Sequence, residues 1–194
     1  KKKGYKISQL KLTKNEENQL LEEQNNRKKE LEKPIIKDWK IINGEQFGFT
    51  ALAPEVMIIS NKKIPSAIGE LDMNIFTYTP KKEDSNLVYM IIHTDYPEES
   101  VNSDSLDKRN DFFQGAINGS VANVKGKLLT QKDLIIGQYP GKEITIDYQQ
   151  GKYIITARIY LVKNKVYILQ SISETKKSGN TVSKNFMESL RLLD

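Results

Sequence analysis

From Trp39 onward, apolar and polar residues alternate with the two-residue period of strands, whereas the first 33 residues show no such order. "FGFTALAP" (47–54) predicts a short strand stopped by Pro54, and "VMIIS" (56–60) predicts its continuation on a bent path. Residues 69–80 set Leu71, Met73 and Ile75 against Asp72 and Asn74, and 86–97 is apolar on both sides from Leu87 to Ile92 until Pro97 stops it. Further strands are predicted at 127–137, 142–149, 152–162 and 165–174, and the short connections between them force antiparallel neighbours. In 152–162, Tyr153, Ile155, Ala157, Ile159 and Leu161 alternate with Ile154, Thr156, Arg158, Tyr160 and Val162. Both faces are apolar, which only a strand covered from above and below requires.

Two stretches carry the helical period instead. Leu106, Asn110, Phe113, Ile117 and Val121 fall on one stripe, with Ser103 or Asp104 placed to cap it and Asp107 in its first turn. Gly115 and Gly119 interrupt that helix, and close approach to the sheet or a weak C-terminal end would explain them. A last helix is predicted near 180–190, where Val182, Phe186 and Leu190 recur four apart. The expected fold is α+β: an antiparallel sheet sandwiched between helices (α/β/α), with a charged N-terminal helical or flexible tail.

Residues 1–33 form that tail. A helix could start near Thr13, with Glu16 as its capping-box partner, but Leu20, Leu21 and Leu31 give it almost no face to bury. The segment is expected to be a charged tether, and 34–194 a single domain. Charge divides the same way. The net charge is +5, and residues 1–33 hold 10 Lys/Arg against 6 Glu while the body holds 20 against 19 acidic residues. A nearly neutral body speaks against nucleic acid as a partner.

Other classes fall away on composition. The chain has no cysteine, which removes disulfides, thiolate metal sites and cysteine nucleophiles, and no run approaches the roughly 18 apolar residues of a membrane-spanning helix. Its first residue is Lys1 rather than Met, as in a trimmed chain or in a mature product whose targeting segment, or a lipid-bearing Cys, preceded it.

The candidate chemistry is sparse. "QYPGKE" (138–143) predicts a type II turn over Tyr139, Pro140, Gly141 and Lys142, with Pro140 fixing φ and Gly141 supplying a positive one. A hairpin centred near Gln150 then sets Glu143 opposite Ala157 or Arg158, and a partly buried guanidinium there calls for a carboxylate, so Glu143 and Arg158 are predicted to form a structural ion pair. Tyr78, Tyr89 and Tyr160 are candidate lining for a pocket between sheet and helix. His93 is the single histidine and is expected to be packed within its strand or at its rim. No serine elbow, EF-hand loop, P-loop or dinucleotide fingerprint occurs, so no catalytic, metal or cofactor-binding residue is assigned and no cofactor is expected.

The phrases "FGFTALAP", "YPGKEITID", "ARIYLVKNKVYILQSIS" and "FMESLRLLD", in that order, resemble the PsbP-like fold family over about residues 47–194. That family includes the extrinsic subunit of the oxygen-evolving complex, a Ran-binding import factor and bacterial lipoproteins. Its recurrent features fall on Pro54, Tyr139, Pro140, Gly141, Lys142, Glu143, Arg158, Asn164, Tyr167, Phe186 and Ser189. The resemblance implies an antiparallel sheet between helices and a protein that binds or stabilises protein partners and is not an enzyme. Metal binding through histidine, found in photosystem members, does not carry over to a chain with His93 alone.

The expected function is a non-enzymatic extracytoplasmic domain, lipid-anchored or tethered at an envelope, that binds a protein partner or assists assembly. Two other readings stay open. One is a small-molecule carrier or hydrolase using the tyrosine-lined pocket, and the other is binding of anionic polymer or membrane surface by the Lys-rich tail.

Overall fold

The computed structural model describes residues 38–66, 68–81 and 84–193. The helix expected from Thr13 and the boundary at Pro34 lie outside these residues, and Trp39–Asp194 make one compact unit. Ten strands and two α-helices are described: β1 (Lys40–Gly44), β2 (Phe49–Ala53), β3 (Ile58–Ser66), β4 (Gly69–Tyr78), β5 (Asn86–Asp95), α1 (Leu106–Asn123), β6 (Lys127–Ile136), β7 (Tyr139–Tyr148), β8 (Tyr153–Val162), β9 (Lys165–Glu174), α2 (Thr181–Met187) and β10 (Arg191–Leu192).

Seven strands build the main sheet in the order β3-β4-β5-β9-β8-β7-β6, with every neighbour antiparallel. Two local meanders, β3–β4–β5 and β6–β7–β8–β9, are joined by α1 in sequence and by the β5–β9 ladder in space, which runs from Asn86↔Ser173 to Asp95↔Lys165. β8 is interior, as its two apolar faces require.

Those faces feed two cores. Ile155, Ala157, Ile159 and Leu161 pack with Ile144 and Ile146 of β7 beneath Phe113 and Ile117 of α1. On the other side Tyr160, Tyr167, Tyr89, Ile91 and Phe76 meet Phe49, Ala51 and Ala53 of β2 and Phe186, Met187 and Leu190 at the chain's end. Phe49 and Phe186 are fully buried, each contributing about 1.5–3 kcal/mol relative to exposure. The cover on this second side therefore differs from the expected helical layer. It is a three-stranded sheet, β1-β2-β10, accompanied by the short α2.

Several local expectations are corrected. Residues 56–60 do not continue β2; Ile58 opens β3, which pairs with β4 at the edge of the main sheet. Leu106 is exposed, and Phe113 and Ile117 alone of the predicted α1 stripe are buried. A Cβ at Gly115 or Gly119 would meet nothing within 4 Å, so neither glycine serves close packing. Ser103 does not cap α1, whose N-cap is Ser105. The Ser103 hydroxyl instead accepts from the Lys163 amide at 3.0 Å, tying the approach to α1 to the β8–β9 hairpin.

The predicted Tyr139-Pro140-Gly141 turn is also displaced. β6 and β7 are closed by Gly137 and Gln138, because Ile136 pairs with Tyr139. A two-residue hairpin wants positive φ at its first central residue, which Gly137 supplies at 59°, whereas a Pro-Gly type II turn would splay the twisted strands. Tyr139, Pro140 and Gly141 are the first residues of β7. Pro140 lies one residue beyond the β7–β8 ladder, which begins at Gly141↔Tyr160, so its missing N–H costs that ladder nothing.

Candidate functional site

The cover of the second face stops short of the β6–β7 end of the sheet. What remains is a groove of ≈ 590 Å³. Its floor consists of two rows that the register lays across β6, β7 and β8: Lys132, Glu143 and Arg158, and beside them Thr130, Thr145 and Thr156. Its wall is the entry to α2, from Ser178 to Lys184, with Met187 further along.

The anchor of the floor is the predicted pair. Arg158 and Glu143 are register partners, and Arg158 Nε donates to Glu143 Oε2 at 2.7 Å. Arg158 Nη1 donates to the Met187 carbonyl at 3.2 Å, which fastens the C-terminal turn of α2 to the sheet. Burial opposes the charge of Arg158, but its hydrogen bond to Glu143, with Tyr160 and the carboxylates of Glu143 and Glu188 nearby, outweighs it and raises its pKa. The guanidinium is thus fixed, charged and neutralised. In the second row Thr130 and Thr145 share a hydroxyl hydrogen bond at 2.7 Å.

The wall is positioned by a polar network. Asn180 caps α2 by accepting from the Ser183 amide at 2.8 Å, and its side-chain amide donates to Asn86 Oδ1 at 2.9 Å while Asn86 donates back at 3.1 Å. Ser183 Oγ lies 2.6 Å from Ser171 Oγ of β9. Downstream, Ser189 Oγ accepts from the Leu52 amide at 3.0 Å and donates to the Phe186 carbonyl at 2.7 Å. The closing Phe-x-x-Ser phrase therefore joins α2 to β2. Asn180, Ser178 and the two threonine strands were not singled out from the sequence, because hydroxyls and amides brought together across strands leave no linear pattern.

The three tyrosines do not form a site. Tyr78 and Tyr89 stack with centroids 6.0 Å apart, and the Tyr89 hydroxyl donates to Asp84 at 2.8 Å while accepting from Asn86 at 2.7 Å. Burial and Asp84 push the Tyr89 pKa far up, so it remains a donor. Tyr160 is buried over Gly141, apart from the other two, and none of the three lines the groove. In place of the expected pocket, Tyr89 and Tyr160 are core and Tyr78 packs half-buried against it.

Tyr139 and Pro140 border a smaller hollow of ≈ 480 Å³ with Arg109 and Lys163. Gly141 is buried for a steric reason, since a Cβ there would stand 2.5 Å from Tyr160 Cδ1 and 3.0 Å from the Ile159 carbonyl oxygen. His93 is fully buried, between the rings of Phe47 at 5.0 Å and Tyr167 at 5.1 Å. Its Nε2 has no hydrogen-bond partner and lies 3.8 Å from Asp95. Tyr167, its phenol held up at about 12 by burial, donates to the Phe47 carbonyl at 2.7 Å and keeps that ring in place. Among the described residues no three His, Asp or Glu side chains converge as a metal site, and no helix is long and apolar enough to cross a membrane.

With this geometry in hand, comparison gives a fold. The solution structure of cyanobacterial PsbP (CyanoP) from Synechocystis sp. PCC 6803 matches with a TM-score of 0.54 at 10% identity, over 81% of this chain and 94% of that one. The Ran-binding protein Mog1p of Saccharomyces cerevisiae matches with a TM-score of 0.46 at 11% identity, over 80% of this chain and 96% of that one. No protein-family model and no curated protein matches the sequence. The chain has the PsbP-like fold that its ordered phrases implied.

Proposed function

We propose that this protein is a non-enzymatic module that works outside the cytoplasm, binding a protein partner or assisting its assembly through the β6–β8 face. The observation that carries the reading is the groove. Its floor is rigid, being three paired strands fixed by the Glu143–Arg158 ion pair, while its rim residues Lys132, Ser178, Gly179 and Lys184 are exposed. A preorganised surface of mixed polar and apolar character, open to solvent, suits recognition of another chain, since little ordering is left to do on binding. The PsbP-like fold supports the same reading, because the resemblance implies partner binding. Residues 1–33 would serve as a charged tether to an envelope, where a Lys-rich segment is drawn to anionic lipid.

Cell fractionation combined with a photo-crosslinking residue at Thr130 tests the proposal. Expected are a product outside the cytoplasm and a discrete heavier species from Thr130 but not from Asp107, which lies on α1 across the sheet. A cytosolic, unprocessed product sinks the location, and equal cross-linking from both positions sinks the surface.

A further inference from the structure

We propose that the groove takes an acidic segment of the partner, its carboxylates reaching Lys132 on one side and Lys184 on the other. The inference rests on the partner-binding reading above and names the chemistry of that same site.

Charge is the first reason. The lining holds three cations, Lys132, Arg158 and Lys184, against one carboxylate, Glu143. Glu143 is spent on Arg158 at 2.7 Å, and Glu188 stands 4.0 Å behind the same guanidinium. Lys132 and Lys184 are in no ion pair among the described residues, so the uncompensated positive charge belongs to them. Lys132 projects from the edge strand β6 and Lys184 from the helix wall, with the width of three strands, about 10 Å, forming the floor between. One small anion would serve one side at a time, whereas a chain with carboxylates spaced along it engages both.

The floor chemistry agrees. Thr130, Thr145 and Thr156 present hydroxyls, which can donate to or accept from a backbone or an acidic side chain. Leu129, Ile154 and Met187 add apolar lining beside these hydroxyls, where the methylenes of an acidic side chain can pack. An acidic, polar segment places carboxylates at the rim and its backbone over the threonines.

The test uses the full chain and a hexaglutamate peptide as the probe, followed through backbone amide NMR shifts at low salt. Expected are shifts at Thr130, Lys132, Thr145, Gly179 and Lys184, affinity lowered at least about tenfold in K132E/K184E, and weakening with added salt. Both lysines are exposed, so an unchanged amide spectrum outside the groove shows that the variant is folded. No binding at low salt overturns the proposal. So do shifts confined to residues 1–37 or to the hollow at Arg109 and Lys163, and so does equal affinity in K132E/K184E. The cross-linking at Thr130 separates the two readings. A partner that still cross-links in K132E/K184E leaves the module intact and removes the acidic segment, while hexaglutamate binding without any cross-linked partner removes the module alone.

Discussion

Gly141 lies directly under the ring of Tyr160, its register partner on β8, with room for a hydrogen and none for a methyl group. The backbone at Gly141 does not need positive φ, so the cost of a substitution there is overpacking. Gly141→Ala should destabilise by about 1–3 kcal/mol in urea unfolding, with chemical-shift change centred on Tyr160. Gly141→Ala with Tyr160→Leu should recover part of that loss, and a fully additive double variant would contradict the contact.

The Glu143–Arg158 pair is largely withdrawn from water, with side-chain exposures of 20% and 16%. Removing one partner strands the other. Arg158→Met alone should cost about 2–4 kcal/mol, and adding Glu143→Gln should restore stability rather than lower it further. A double-mutant cycle by denaturant unfolding measures this, and a coupling near zero would show that the pair holds nothing.

Ser189→Ala should cost about 1–3 kcal/mol, because the part-buried Leu52 amide would lose its side-chain acceptor. Hydrogen exchange provides the local check. The Leu52 amide should exchange faster in the variant, while amides of the β6–β7 ladder keep their protection.

His93 predicts a pH dependence. Burial lowers its pKa, Asp95 on the same strand raises it and Lys165 on β9 lowers it, with a net shift below 6.5. Asn74, whose side chain lies 3.5 Å from Nδ1, and the Phe47 and Tyr167 rings complete its surroundings. Above pH 6.5 both folded and unfolded chains carry a neutral imidazole and stability is at its full value. As pH falls below 6.5 the unfolded chain takes up the proton first, so stability is lost down through the folded pKa. The melting temperature should therefore fall on acidification, and His93→Gln should lose that part of the slope. Parallel pH profiles for the two proteins would refute it.

Much of the fold was legible because it is local. The alternation in 152–162 announces an interior strand, and the hairpin arithmetic around Gln150 narrows the partner of Glu143 to Ala157 or Arg158, of which the register selects Arg158. The turn expected at Tyr139–Lys142 falls three residues earlier, because Pro-Gly is a strong turn signal on its own yet the hairpin's twist is satisfied by Gly137. Tyr78, Tyr89 and Tyr160 read as candidate pocket lining because side-chain type alone does not distinguish core from lining. The three-stranded cover could not be foreseen, since β10 is two residues long and pairs with β2 from the far end of the chain.

The β5–β9 ladder sets a timetable for the molecule. Strands β3, β4 and β5 can zip up as soon as they exist, but Asp95 must wait for Lys165, and its own half-sheet stays open along one side until then. During synthesis the nascent meander would carry the unmade β5 border as a sticky flank, a natural point of contact for a chaperone.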